Sequence, residues 1–132
     1  MTTIHPTPLL RQALVADAVA SGACGILMLA GASPLSELLG LPAGLLRACG
    51  AVLIPYAVLV GLMGRRDTVA RPLVWAVILC NAVWVADSLL LLMSGWVQPT
   101  ALGTGFVLAQ AVLVGLFAEL QALGLRRSPA YA

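Results

Sequence analysis

The sequence predicts an all-α membrane protein: a bundle of four transmembrane helices, both termini cytoplasmic, with a short interfacial helix between the first two spans. Three observations carry this reading. Hydrophobic residues make up 61% of the 132 positions and charged residues only 9%, against roughly 25% charged in a soluble domain. A chain this apolar cannot cover itself with polar side chains, so lipid must be the solvent for most of its surface. The apolar residues also gather into four runs of about twenty, the length that crosses a ~30 Å hydrocarbon core. Finally, Arg11, Arg65, Arg66, Arg71, Arg126 and Arg127 fall on one side when four crossings are drawn, and only Arg47 falls on the other. That asymmetry marks the cytoplasmic face. The chain is short enough that residues 1–132 form one domain.

Taken in order, Met1 to Pro8 is short and polar. The first span covers about residues 9–31. Its end, Ala30-Gly31-Ala32, resembles a signal-peptidase site, but the apolar run is too long for a leader and Asp17 interrupts it, which favours a retained helix. Ser33 to Pro42 reads as the interfacial helix, with Ser33 as N-cap, Pro34 in its first turn, and Glu37 complementing the positive end of the dipole. The second span, about 43–64, carries Pro55, which frees the Ala51 carbonyl and predicts a kink. A charged loop, Arg65 to Pro72, leads to the third span, about 73–94. An uncharged loop then leads to the fourth, about 101–125, closed by Arg126 and Arg127. Ala57-Val-Leu-Val-Gly-Leu62 recurs as residues 111–116. Other matches do not keep that spacing, and chance in a small apolar alphabet accounts for it.

Several function classes are excluded. No basic groove with interleaved aromatics is present, so nucleic acid is not an expected partner. His5 is the single histidine, which rules out a bis-histidine haem or a histidine-based metal site within one chain; no cofactor or metal is expected. Gly-x-Ser-x-Gly, His-Glu-x-x-His and P-loop motifs are missing, which places an enzymatic reading last. Cys24, Cys49 and Cys80 sit inside apolar segments and read as small packing residues. A redox pair would need two of them to meet in space.

Ionisable and amide groups inside a span are costly and call for partners. Depth along a helix, at ~1.5 Å per residue from the nearest cytoplasmic arginine, sorts them into layers. Asp17 and Glu119 fall in an inner layer at ~9–10 Å, with Glu119 able to snorkel to the headgroups. Tyr56 and Asn81 fall near the midplane at ~14–15 Å, where Asn81 would donate to Tyr56 or to the Ala51 carbonyl. Arg47, Asp87 and Gln110 form an outer layer at ~24–27 Å, read as a structural ion pair between Arg47 and Asp87 with Gln110 adding a hydrogen bond. Asp17, Ser21, Cys24 and Met28 share a stripe about 60° wide, and Asn81, Trp84, Asp87 and Ser88 a sector of about 120°. Two such stripes face to face would line a cavity, making Asp17, Ser21, Cys24, Tyr56, Asn81 and Trp84 candidate ligand-binding residues. The competing and preferred reading is close helix packing through Ala18, Ser21, Gly22 and Gly25, with Asp17 protonated or hydrogen-bonded.

The glycine-rich Ser21-Gly-Ala-Cys-Gly25, the segment Ser33-Pro-Leu-Ser-Glu-Leu-Leu-Gly-Leu-Pro42 and the span after it resemble the small bacterial DoxX-like four-helix membrane proteins. The resemblance implies a bacterial inner-membrane location and, for some members, service as an accessory subunit of a quinone-linked oxidoreductase. Two readings of function follow. In the first, the chain is a non-catalytic accessory or assembly subunit of a larger membrane complex, or a homo-oligomer. In the second, it binds or moves a lipid, quinone or proton-linked solute in an intramembrane cavity near Asp17 and Asn81.

Overall fold

The computed structural model describes residues 2–129; Met1 and residues 130–132, which the single-domain reading includes, lie outside the described residues. Among the described residues five helices follow one another: α1 (Pro8–Ala30), α2 (Ala32–Leu39), α3 (Ala43–Arg65), α4 (Arg71–Ser94) and α5 (Ala101–Arg127). All but α2 are long and apolar enough to cross a membrane. Large apolar side chains such as Val19, Ile26, Leu79 and Val112 point outward at 61–67% exposure, as a protein bathed in hydrocarbon requires and a water-soluble one could not tolerate. The chain is a multi-pass membrane protein.

Capping explains where the spans begin. Thr7 accepts from the Leu10 amide at 3.2 Å and Pro8 follows it in the first turn of α1. Thr100 accepts from the Gly103 amide at 3.0 Å to start α5. In both cases the hydroxyl satisfies a backbone donor that the helix leaves unpaired. The short helix begins earlier than the Ser33 cap predicts. Gly31 is the residue before it, and its carbonyl accepts from the Leu35 amide at 3.0 Å. The Ser33 hydroxyl is left to another partner. Gly40 ends α2 at φ 71°, in the left-handed region that favours glycine. α3 runs unbroken through Pro55.

At the terminal end of the bundle, where α1 starts and α5 stops, Thr3–Ile4 (β1) pairs antiparallel with Val69–Ala70 (β2), with Thr3 opposite Ala70 and Ile4 opposite Val69. The Arg71 amide donates to the Thr2 carbonyl, and the His5 amide to the Pro129 carbonyl at 3.0 Å. At the opposite end, Thr100 donates its amide to the Leu39 carbonyl and its hydroxyl to the Leu38 carbonyl, both at 2.9 Å, binding α2 to the start of α5.

The most extensive helix packing joins α1 with α3, then α4 with α5 and α1 with α5. Gly25 and Gly50 explain the first: a Cβ on Gly50 would stand 2.7 Å from the Gly25 carbonyl oxygen, so only glycine lets these backbones meet. By contrast, α3 and α4, consecutive in the chain, make almost no close backbone approach. The apolar core accordingly divides. One cluster around Ile4, Leu10, Leu14, Val60, Val74 and Leu125 fills the terminal end. Another around Met28, Leu39, Leu46, Leu53 and Val107 fills the far end. Polar side chains occupy the space between.

Candidate functional site

Asp17 is completely buried at the centre of those polar residues. Its Oδ1 accepts from the Ser21 hydroxyl at 3.0 Å, one turn further along α1. Its Oδ2 lies 2.8 Å from Gln121 Nε2 on α5, 3.0 Å from Asn81 Nδ2 on α4 and 2.9 Å from the Tyr56 hydroxyl on α3. All four spanning helices therefore converge on one carboxylate. Asn81 Nδ2 also donates to Gln121 Oε1 at 2.9 Å, so the two amides brace each other. Tyr56 has a further acceptor, Asn81 Oδ1, at 2.8 Å. With one hydrogen, its hydroxyl serves Asp17 or Asn81 but not both at once. Among the described residues every buried side-chain nitrogen and oxygen has a partner, the condition under which a polar network in a low-dielectric interior orders a structure instead of weakening it.

The residues placed in separate layers by depth meet here. At ~1.5 Å rise per residue Asp17 lies about one turn nearer the terminal end than Tyr56 and Asn81, and the hydrogen bonds bridge that step. The Ala51 carbonyl is not used: Asn81 turns both its donors to Asp17 and Gln121, and it accepts from Tyr56. Gln121 is the member of the network that the candidate set omits. Its signal was available, since it lies eleven residues after Gln110 and so within about 20° of it on the same helix face.

The outer layer departs from expectation. Arg47 does not pair with Asp87; its Nη2 donates to the Ser33 hydroxyl at 3.2 Å, across the turn from α2 into α3. The reason is the wide flank between α3 and α4, which holds these helices apart. Gln110 instead accepts from Trp84 Nε1 and donates to the Ser88 hydroxyl at 2.9 Å, while Ser88 donates to the Trp84 carbonyl at 2.7 Å. The indole is thereby fixed between α4 and α5. Asp87 is exposed and, among the described residues, has no hydrogen-bond or ion-pair partner. Glu119 is also exposed, away from the Asp17 network.

Two adjoining cavities open along the α3–α4 flank. The first, about 630 Å³, reaches Ser21, Tyr56 and Asn81 at its inner wall and is otherwise lined by apolar side chains including Leu53, Val83, Phe106 and Phe117. The second, about 750 Å³, continues toward the far end past Met28, Leu46, Met93 and Trp96. Cys24, Trp84, Asp87, Phe106 and Gln110 border both. Of the six candidate ligand residues, Ser21, Cys24, Tyr56, Asn81 and Trp84 line this cleft, and Asp17 lies behind them. Cys24 donates to Met28 Sδ at 3.4 Å, and the three cysteines are free thiols. No group of three or more His, Cys, Asp or Glu gathers as a metal site among the described residues. Each cavity falls in the 300–1,000 Å³ range of small-molecule sites, mostly apolar with a few convergent polar groups. Compared with known proteins, the chain matches no family model, no curated protein and no solved structure.

Proposed function

We propose that this membrane protein binds a small apolar or amphipathic molecule, taken from the bilayer, in the cleft between α3 and α4. One observation carries the reading: the cleft of about 630 Å³ ends on Tyr56, Asn81 and Ser21, the rim of the Asp17 network. An apolar chain or ring would fill the cleft, and a hydroxyl or carbonyl at its tip would meet the Tyr56 hydroxyl. The shared hydrogen of Tyr56 supports this, because a guest that accepts it or donates to its oxygen changes which of Asp17 and Asn81 the hydroxyl serves. Orientation belongs to the same proposal. With six arginines at the terminal end and Arg47 at the other, the termini face the cytoplasm and α2 lies at the outer interface.

The test is purification from native membrane followed by extraction and mass analysis of what stays bound. One compound in near-stoichiometric amount, lost when Cys80→Trp fills the cleft, is the expected result. Protein partners in place of a small molecule would instead favour an accessory subunit of a larger complex.

A further inference from the structure

The outer part of the cleft holds a feature that the binding reading does not use. Asp87 lies six residues beyond Asn81 on α4 and seven before the helix ends at Ser94, which puts it ~10 Å inside that end. It borders both cavities, is exposed to them, and has no hydrogen-bond or ion-pair partner among the described residues. Arg47, the nearest cation in sequence depth, is held by Ser33. An ionised carboxylate at this depth, facing hydrocarbon with nothing against it, is strongly disfavoured. Either it is neutralised or something charged comes to it.

The surroundings select what can come. Trp84, Trp96 and Phe106 line the same cavity as Asp87, and the bond from Trp84 to Gln110 fixes one indole in place. Aromatic faces attract cations, most strongly where water is excluded. A compact, strongly hydrated metal ion or a free ammonium would lose its water in such a place. A cation whose charge is wrapped in apolar groups loses little, and it fills the volume that the leucines and methionines leave.

We propose that Asp87 is the charge-recognition residue of the cleft and that the ligand is a lipophilic monocation, such as a quaternary ammonium or phosphonium compound or a hydrophobic amine. This deepens the small-molecule reading and rests on it. Asp87 pairs with the cationic centre, the aromatic rings surround it, and the apolar part extends toward Tyr56 and Asn81.

The experiment uses the full chain in nanodiscs, with tetraphenylphosphonium as the cationic probe and triphenylphosphine oxide as a neutral aromatic comparator. The expected result is saturable binding of the phosphonium, weakened at least about tenfold by Asp87→Asn and largely kept by Asp87→Glu. Binding of the neutral compound should not change in Asp87→Asn, which also shows that the variant is folded and its cleft intact. Equal phosphonium binding by wild type and Asp87→Asn would overturn the assignment while leaving the cleft a neutral binding site. Failure of both compounds to bind, with the native-membrane extraction also empty, would overturn the assignment and the binding reading together. A change in oligomeric size in Asp87→Asn, without a change in phosphonium affinity, would mean that a second copy covers the carboxylate, and would likewise overturn the assignment.

Discussion

The side-chain amide of Gln121 donates to Asp17 Oδ2 at 2.8 Å, joining the last spanning helix to the first. With Asn81 and Tyr56 donating to the same oxygen, this carboxylate ties α1, α3, α4 and α5 together. Removing it takes the acceptor from four donors, Ser21 included, of which Tyr56 can turn to Asn81 Oδ1. Each buried donor left without a partner costs about 1–3 kcal/mol, although hydrogen bonds between membrane helices average only about 0.6 kcal/mol in measured cycles. Asp17→Ala should therefore destabilise the bundle by roughly 3 kcal/mol. Asp17→Ala and Gln121→Leu together should cost less than the sum of the two, with a coupling of about 1 kcal/mol or more. Unfolding in mixed micelles with increasing SDS measures all four corners. Simple additivity would show that the carboxylate and the amide do not depend on each other.

Tyr56→Phe is a milder change, because Asp17 keeps three donors and only Asn81 Oδ1 loses its source. About 1 kcal/mol is expected. Asn81→Leu removes a residue bonded to Asp17, Tyr56 and Gln121 at once and should cost clearly more. The order of the two in the same unfolding assay is the readout, and Tyr56→Phe as the more damaging variant would contradict the geometry.

The contact between Gly25 and Gly50 predicts a contrast along α3. Gly50→Ala drives a methyl group into the Gly25 carbonyl and the Leu29 amide, which should cost about 1–3 kcal/mol by overpacking. Gly44→Ala, where the new carbon meets nothing within 4 Å, should be neutral or stabilise by up to about 1 kcal/mol through helix propensity. Melting temperatures of the two variants decide.

Arg47 and Asp87 should behave as strangers. With Arg47 bonded to Ser33, exchanging the two residues for each other should rescue neither single substitution, and their coupling should stay below about 0.5 kcal/mol. A rescued double variant would place the expected ion pair back in the protein.

The spans were legible because hydropathy over about twenty residues is a strong signal. The expected bounds 9–31, 43–64, 73–94 and 101–125 differ from the observed helices by at most two residues at any end. The pairing of Ile4 with Val69 was not legible, since two-residue strands have no periodicity and form only where folding delivers them. The site was legible in its members more than in its wiring. Depth marks Tyr56 and Asn81 and the helix stripe marks Ser21, yet depth along separate helices treats those helices as parallel rulers. It cannot foresee that the side chains of Asp17 and Asn81 bridge a turn. The expected Arg47–Asp87 pair fails for a related reason. Opposite charges at similar depth attract only if their helices adjoin, and sequence does not say that α4 turns to α5 and leaves α3 apart.

The clasp between Thr3–Ile4, Val69–Ala70 and the Pro129 carbonyl bears on how the protein is made. Residues 3–5 are among the last to find their places, although they precede α1, because one partner is translated midway and the other only after α5. A nascent chain halted before that final helix would expose Ile4 and offer Asp17 no Gln121. Quality-control proteases should therefore clear such truncated chains quickly, while the chain that includes α5, with residues 3–5 fastened beside Val69 and Pro129, survives.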